Sequence, residues 1–206
     1  HLFHTLAAGT ALTWLLSFSP HAMSRTRTEA AAVKACPQDQ AGLTLPPGFC
    51  ATIFADNIGH ARHIDISADN TVYINTWSGN YYSDNTLIPG GFLVALRDTD
   101  QDGHADVYKR FGPEASEGSA GGTGILLHRG WLYAEINDRI VRWRLLPGTL
   151  VPEGSPETIV SGLPITGEHP MHQFVIDGHE NMFVNVGAAT NACEIKLGVY
   201  PAKVQN

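Results

Sequence analysis

Residues 60–79 read HARHIDISADNTVYINTWSG, which is an apolar strand, a polar turn and a second strand with an aromatic side chain. The pattern recurs as GGTGILLHRGWLYAEIND at residues 121–138 and as HPMHQFVIDGHENMFVNVG at residues 169–187. The aromatic positions of the second strands are Tyr73, Trp131 with Tyr133, and Phe183. Short strands bounded by Gly, Asn and Asp turns predict antiparallel β-structure, so the chain is expected to be all-β and built from repeated units.

Two of the three copies are followed by two further short strands. These are GGFLVALRD and ADVYKRFG after the first copy, and DRIVRWRLL and PETIVSGLP after the second. Each complete copy therefore predicts four antiparallel strands, and four-stranded sheets repeated around an axis are the blades of a β-propeller. A β-sandwich or an open meander would share the alternation and stays the alternative. The predicted blades are residues 58–115, 120–165 and an incomplete 167–206, about two and a half blades in all.

The composition is typical of a folded chain and argues against a nucleic-acid partner. Of the 206 residues, 43% are hydrophobic and 16% are charged, so a disordered chain is not expected. The 13 basic and 20 acidic side chains give a net charge of −7, whereas phosphate binding needs a basic surface.

Residues 1–35 are predicted to be the remnant of a secretory signal peptide and a linker, and residues 36–206 a partial propeller domain. Residues 6–16, LAAGTALTWLL, are uncharged and largely apolar, which is typical of the apolar part of a signal peptide. A signal anchor is the alternative, although the run is shorter than the ~20 residues of a spanning helix. Either interpretation predicts an exported protein, periplasmic or secreted.

An exported protein is in an oxidising compartment, where cysteines can form disulfides. Cys36 and Cys50 bracket a short segment containing Pro and Gly, and we predict that they form a disulfide. Two unpaired buried thiols are the alternative. Cys193 is then an odd cysteine, for which a free thiol, an intermolecular bridge or a partner beyond the end of the chain are all open.

The segment RDTDQDGHAD at residues 97–106 has the pattern of the first half of a calcium loop. Alternating carboxylates can converge on a hard cation, and Gly103 permits the tight turn. The twelfth position holds Lys109 instead of Glu and the flanks read as strands, which excludes a complete EF-hand. A structural Ca²⁺ site and a turn that satisfies its own polar groups are both open. The candidate ligands are Asp98, Asp100, Asp102 and Asp106.

The start of the third copy holds candidate catalytic side chains. Glu168, His169 and His172 lie in TGEHPMHQFVID, where a histidine beside a carboxylate can act as a general base near neutral pH. A turn or core histidine is the alternative. The spacing E-H-x-x-H is not the zinc motif H-E-x-x-H, and Pro170 disfavours the helix that a zinc motif needs. A zinc hydrolase is therefore excluded.

Several stretches together resemble the soluble quinoprotein dehydrogenases of the glucose/sorbosone dehydrogenase family, including sorbosone- and pyranose-dehydrogenase-like members. They cover most of residues 43–194 and include LTLPPGFCATIFADNIGHARHI, NTVYINTWSG, FLVALRDTDQDGHADVYKRFG, GWLYAEINDRIVRW and GEHPMHQFVIDGHENMFVNVGAATNAC. The resemblance implies a six-bladed propeller that binds pyrroloquinoline quinone (PQQ) and Ca²⁺ and oxidises a sugar or sugar aldehyde. An external electron acceptor is then a further partner.

In that family an acidic residue and a histidine precede the first strand of a blade, and the histidine is the catalytic base. These positions fall on Glu168 and His169, so the protein would supply the base while the cofactor carries the redox chemistry. Arg62 and Asn191 lie where the channel is expected to open and are candidate cofactor contacts. Gly122 stands where glucose-oxidising relatives have Gln, which argues against glucose as substrate.

The family's remaining PQQ and Ca²⁺ ligands lie in later blades, which these 206 residues do not include. The sequence therefore predicts an N-terminal fragment that is inactive alone. Two other functions stay open: a non-catalytic exported propeller that binds glycan or protein, and a Ca²⁺-dependent propeller hydrolase of the lactonase type.

Overall fold

The computed structural model describes Cys36 and residues 40–76, 89–114 and 121–190, in which ten β-strands and one short 3₁₀ turn are formed. The described residues contain no helix long and apolar enough to span a membrane. The 3₁₀ turn is Gln40–Gly42. The strands are β1 (Ala61–Ile66), β2 (Val72–Thr76), β3 (Leu93–Arg97), β4 (Val107–Phe111), β5 (Ile125–His128), β6 (Trp131–Ile136), β7 (Arg139–Arg144), β8 (Glu157–Ser161), β9 (Phe174–Ile176) and β10 (Met182–Val184).

The strands form three antiparallel sheets in chain order. The first is β1-β2-β3-β4, the second is β5-β6-β7-β8, and the third is the pair β9-β10. The first strands of the sheets lie side by side, since β1 contacts β5 and β5 contacts β9. Neighbouring four-stranded sheets arranged in this way are blades of a β-propeller. The predicted all-β class and partial propeller of about two and a half blades are therefore confirmed.

The core between the first two sheets is built from aromatic and branched side chains. The rings of Tyr73 and Phe111 meet edge to face with centroids 6.4 Å apart, and those of Phe111 and Trp143 do so at 6.2 Å. Leu93 and Leu132 are fully buried beside them. Edge-to-face aromatic pairs add to the burial of apolar area, so this contact fixes the second sheet against the first.

The two ends of the sheets carry different groups. At one end, the β1–β2 turn and the β3–β4 loop meet, because Arg97 Nη2 lies 2.7 Å from Asp69 Oδ2 and Arg97 Nε donates to Thr71 Oγ1 at 2.9 Å. We call this the turn end. β1, β5 and β9 begin at the opposite end, which we call the site end.

The residues before β1 are fastened to the turn end. The Ala105 N–H donates to the carbonyl oxygen of Phe54 at 2.8 Å, and His104 Nδ1 lies 2.8 Å from the carbonyl oxygen of Ile53. Cys36 and Cys50 form a disulfide with their Cα atoms 5.2 Å apart, which confirms the predicted pair. The predicted signal remnant at 1–35, together with Asn191 and Cys193, lies outside the described residues.

Candidate functional site

The site end brings the first sheet against the segment that precedes β9. Arg62, on β1, is exposed, and its Nη2 donates to Met171 Sδ at 3.1 Å. Met171 is two residues beyond His169 in the chain. The predicted cofactor contact Arg62 and the predicted base His169 thus lie on neighbouring elements at one end of the propeller.

Glu168 and His169 are partly buried and are held by their backbone. The Glu168 N–H donates to the carbonyl oxygen of Ala189 at 3.2 Å, which ties the segment before β9 to the segment after β10. A Cβ atom at Gly187 would overlap the carbonyl oxygen of His169, so this close approach requires glycine. An imidazole in such a place can accept a proton from a bound hydroxyl group near neutral pH.

A cleft of about 390 Å³ opens between β1 and the third sheet. Its lining includes His63, Gln173, Phe174 and Phe183. His63 Nδ1 is buried and has no hydrogen-bond partner among the described residues. A buried polar atom without a partner is costly, so the position of the His63 ring must be fixed by its packing.

A carboxylate that the sequence predictions missed organises the same end of the molecule. Glu135 lies on β6 and only 1% of its surface is exposed. Its Oε2 accepts from Thr123 N at 2.8 Å, Thr123 Oγ1 at 2.9 Å and Gly124 N at 3.0 Å. Its Oε1 accepts from His172 N at 2.9 Å and lies 2.8 Å from His172 Nδ1. Three of these five groups are backbone N–H donors, so the Glu135 carboxyl group acts as an acceptor, and His172 Nδ1 is assigned as a donor to it on that ground.

Asn75 makes the corresponding link one sheet earlier. Its Nδ2 donates to the carbonyl oxygens of Gly124 at 2.9 Å and Glu135 at 3.0 Å, and the residue is fully buried. The signal in the sequence is positional, because Asn75 and Glu135 each stand two residues after a tyrosine in equivalent strands. A carboxyl group inside the otherwise apolar LYAEI of β6 marks a buried residue that needs partners.

The need for glycine at position 122 is explained by a close backbone contact. A Cβ atom there would overlap the carbonyl oxygen of Glu135 and would lie 3.0 Å from Asn75 Nδ2. Gly122 is itself buried beside this carbonyl, so any larger residue needs the segment before β5 to move away from β6. Glycine at this position therefore allows the segment before β5 to lie against the backbone of β6.

The acidic loop lies at the turn end, away from His169. Carboxylate oxygens of Asp98, Asp100 and Asp106 lie within 4.8 Å of one another, whereas Asp102 is outside this group and accepts from His104 N at 2.7 Å. Much of the loop closes on itself. Asp98 accepts from the Gln101 and Gly103 N–H groups, and hydrogen bonds from Thr99 lower the pKa of Asp106 below its usual value.

No family model and no curated protein sequence matches the chain. Among solved structures, the chain is similar to the holo form of the pyranose dehydrogenase PQQ domain from Coprinopsis cinerea, with a TM-score of 0.51 and 17% sequence identity. The likeness covers 66% of this chain and 30% of that domain, so the chain spans less than a third of its neighbour's length. At this identity the similarity concerns the fold: the chain has the architecture of a partial β-propeller.

Proposed function

We propose that the chain is part of an exported quinoprotein oxidoreductase that oxidises a sugar or sugar aldehyde with PQQ. The observation that carries this proposal is the meeting of Arg62 with the His169 segment at the site end. A base and a cation on adjacent elements are what the oxidation of an alcohol by an anionic quinone needs. The fold shared with a PQQ domain supports the same conclusion.

The described residues fit one side of a PQQ site. Arg62 is exposed and can face a carboxylate of the cofactor, because its guanidinium is always charged and forks toward such groups. His63 and Gln173 line the adjoining cleft and are its polar residues nearest to Arg62 and Met171 in the chain. Asn191 remains a candidate contact outside the described residues.

The protein's part in the reaction is proton transfer and positioning. A bound substrate hydroxyl would give its proton to an imidazole nitrogen of His169, while Glu168 orients the imidazole or contacts the substrate. PQQ, when bound, supplies the two-electron acceptor for the hydride. The hydrogen bond of Glu168 N to Ala189 O and the contact of Gly187 with His169 O hold the base in place during proton transfer.

The test is dye-linked oxidation of sugars by the full-length protein loaded with PQQ and Ca²⁺. His169→Ala is expected to lower kcat by about 10²- to 10⁴-fold, since a positioned general base contributes that much. His179→Ala is the matched control, because His179 lies in the exposed β9–β10 turn at the other end of the strands. If no sugar or aldehyde reduces the dye, or if His169→Ala matches the control, the proposed function is wrong. Binding of glycan without turnover would then favour a non-catalytic propeller.

The Asp98 loop is the proposed position of a structural Ca²⁺. Three carboxylates within 4.8 Å suit a hard cation, and their place at the turn end separates them from the proposed base. We expect added Ca²⁺ to raise the melting temperature, and Asp100→Asn to remove most of this rise. The control is Asp138→Asn, which changes a carboxylate paired with Arg139 elsewhere. Equal Ca²⁺ responses of wild type and Asp100→Asn would show that the loop only satisfies its own turn.

The disulfide is evidence on the cellular compartment of the protein. Cys36 and Cys50 form a disulfide, and such bridges persist in oxidising compartments. It supports the proposed export to the periplasm or the medium.

A further inference from the structure

Glu135 joins two different elements through its two oxygens. Oε2 accepts three hydrogen bonds from Thr123 and Gly124, which lead into β5 of its own sheet. Oε1 takes the backbone N–H and Nδ1 of His172, which leads into β9 of the next sheet. Glu135 and His172 are 1% and 0% exposed, so water does not compete for these bonds.

His172 is three residues from the proposed base. Pro170 between them is buried, and Phe174 beyond them packs so tightly on Gly124 that a Cβ atom there would lie 2.6 Å from its ring. The segment is thus fixed on its C-terminal side by the Glu135–His172 pair. On its N-terminal side, Glu168 N bonds to Ala189 O.

We infer that Glu135 and His172 are positioning residues for His169, holding the segment that presents the base at the site end. The hydrogen bonds of Glu135 are the physical basis of this inference. The expected effect on turnover rests in addition on the proposed function. Neither side chain needs to touch substrate. A shift of the segment by about 1 Å is enough to lower turnover by roughly 100-fold when a base must meet a bound hydroxyl.

Two substitutions at one position separate positioning from bulk packing. His172→Asn keeps a donor near the place of Nδ1, whereas His172→Phe keeps a planar ring and removes the donor. We expect His172→Phe to lower kcat by about 10- to 100-fold with KM within about twofold of wild type, and His172→Asn to retain most of kcat. Glu135→Gln, which replaces one acceptor with a donor facing His172, is expected to lower kcat in the same way.

Hydrogen exchange gives a readout that needs no activity. The Glu168 amide is expected to exchange about 10-fold faster or more in His172→Phe and Glu135→Gln, and near the wild-type rate in His172→Asn. The Leu96 amide in the buried β3 is the internal reference and should not change. If His172→Phe fails to fold, Glu135→Gln and His172→Asn carry the comparison.

The outcomes distinguish this inference from the proposed function. Faster exchange at Glu168 in the donor-removing variants, with no turnover in any protein including wild type, would leave the positioning of His169 standing and remove the proposed function. Active variants in which His172→Phe and His172→Asn behave alike, in both kcat and Glu168 exchange, would overturn the positioning role and keep the function.

Discussion

Side chains at equivalent strand positions form the hydrogen bonds across the two interfaces between neighbouring sheets, but the groups that form these bonds differ. Asn75 on β2 reaches the second sheet with an uncharged amide, and both of its acceptors are backbone carbonyls. Glu135 on β6 reaches the third sheet with a carboxylate, and its partner there is the side chain and backbone of His172. A backbone acceptor is present whatever residue occupies the position, whereas a side-chain partner must be supplied by the sequence.

The difference predicts unequal sensitivity to substitution. Gly124 O already accepts a hydrogen bond from Glu135 N at 2.9 Å, so losing the amide of Asn75 leaves that carbonyl with one partner. Removing Glu135 leaves the buried donors of Thr123 and His172 with nothing to bind. Unsatisfied buried groups cost more than a hydrogen bond adds, and most when the partner is charged. The second interface is therefore the more fragile of the two.

The largest effect is expected from Glu135→Ala. Removing the buried carboxyl group should lower the free energy of unfolding by about 3–5 kcal/mol, because several buried donors lose their acceptor and a void is left. Chemical denaturation measures the change. Glu157→Ala is the control, since that carboxylate sits on the exposed edge strand β8, 2.8 Å from Arg142 Nε, and should cost about 0–1 kcal/mol. Equal losses for the two variants would contradict the assigned importance of the second interface.

The sequence predicted the strands well because alternation and turn residues are local signals. β3, with LVALR between Gly91 and the Asp98 loop, and β7, with RIVRW after an Asn-Asp turn, are recognisable without tertiary information. The disulfide followed from spacing and compartment. Each of these predictions depends on residues close in the chain.

The Glu135–His172 pair was not predicted because it is a tertiary contact across 37 residues. Its geometry depends on the register of β5 with β6 and on how closely the third sheet approaches the second. The same limit applies to Gly122, whose small size was linked to the substrate by resemblance while its backbone contact with Glu135 stayed hidden. The placement of Asp102 outside the acidic group is likewise a matter of loop conformation.

A smaller effect is expected at the first interface. Asn75→Ala should lower the free energy of unfolding by about 1–2 kcal/mol, because two buried hydrogen bonds are lost while Gly124 O keeps its strand partner. Asn185 is the matched control, since it stands two residues after Phe183 at the equivalent position of the third sheet and is exposed. Asn185→Ala should stay within about 0.5 kcal/mol. A loss for Asn75→Ala as large as that for Glu135→Ala would show that charge is not what separates the interfaces.

The smallest effect concerns a carboxylate that closes an exposed turn instead of an interface. Asp177 Oδ1 accepts from the N–H groups of His179 and Asn181 at 2.9 Å each, and Oδ2 accepts from Asn181 Nδ2 at 3.0 Å. The side-chain bond from Asn181, followed by its backbone bond, lowers the pKa of Asp177 below the usual 3.8. A lowered pKa contributes stability above pH 3.8, and this contribution disappears as the pH falls through the folded-state pKa.

Asp177→Asn should therefore be slightly less stable than wild type at pH 7, and the two proteins should converge in denaturation midpoint as the pH is lowered below 3.8. The control is Asp56→Asn, in which the exposed carboxylate accepts from the neighbouring Asn57 at 2.9 Å outside any β-turn between strands. A difference between Asp177→Asn and wild type that persists unchanged at low pH would mean that the turn is stabilised by the shape of the side chain and not by its charge. Because a turn carboxylate is hydrated, its removal destabilises only the turn. The removal of Glu135 instead takes away hydrogen bonds that hold two sheets.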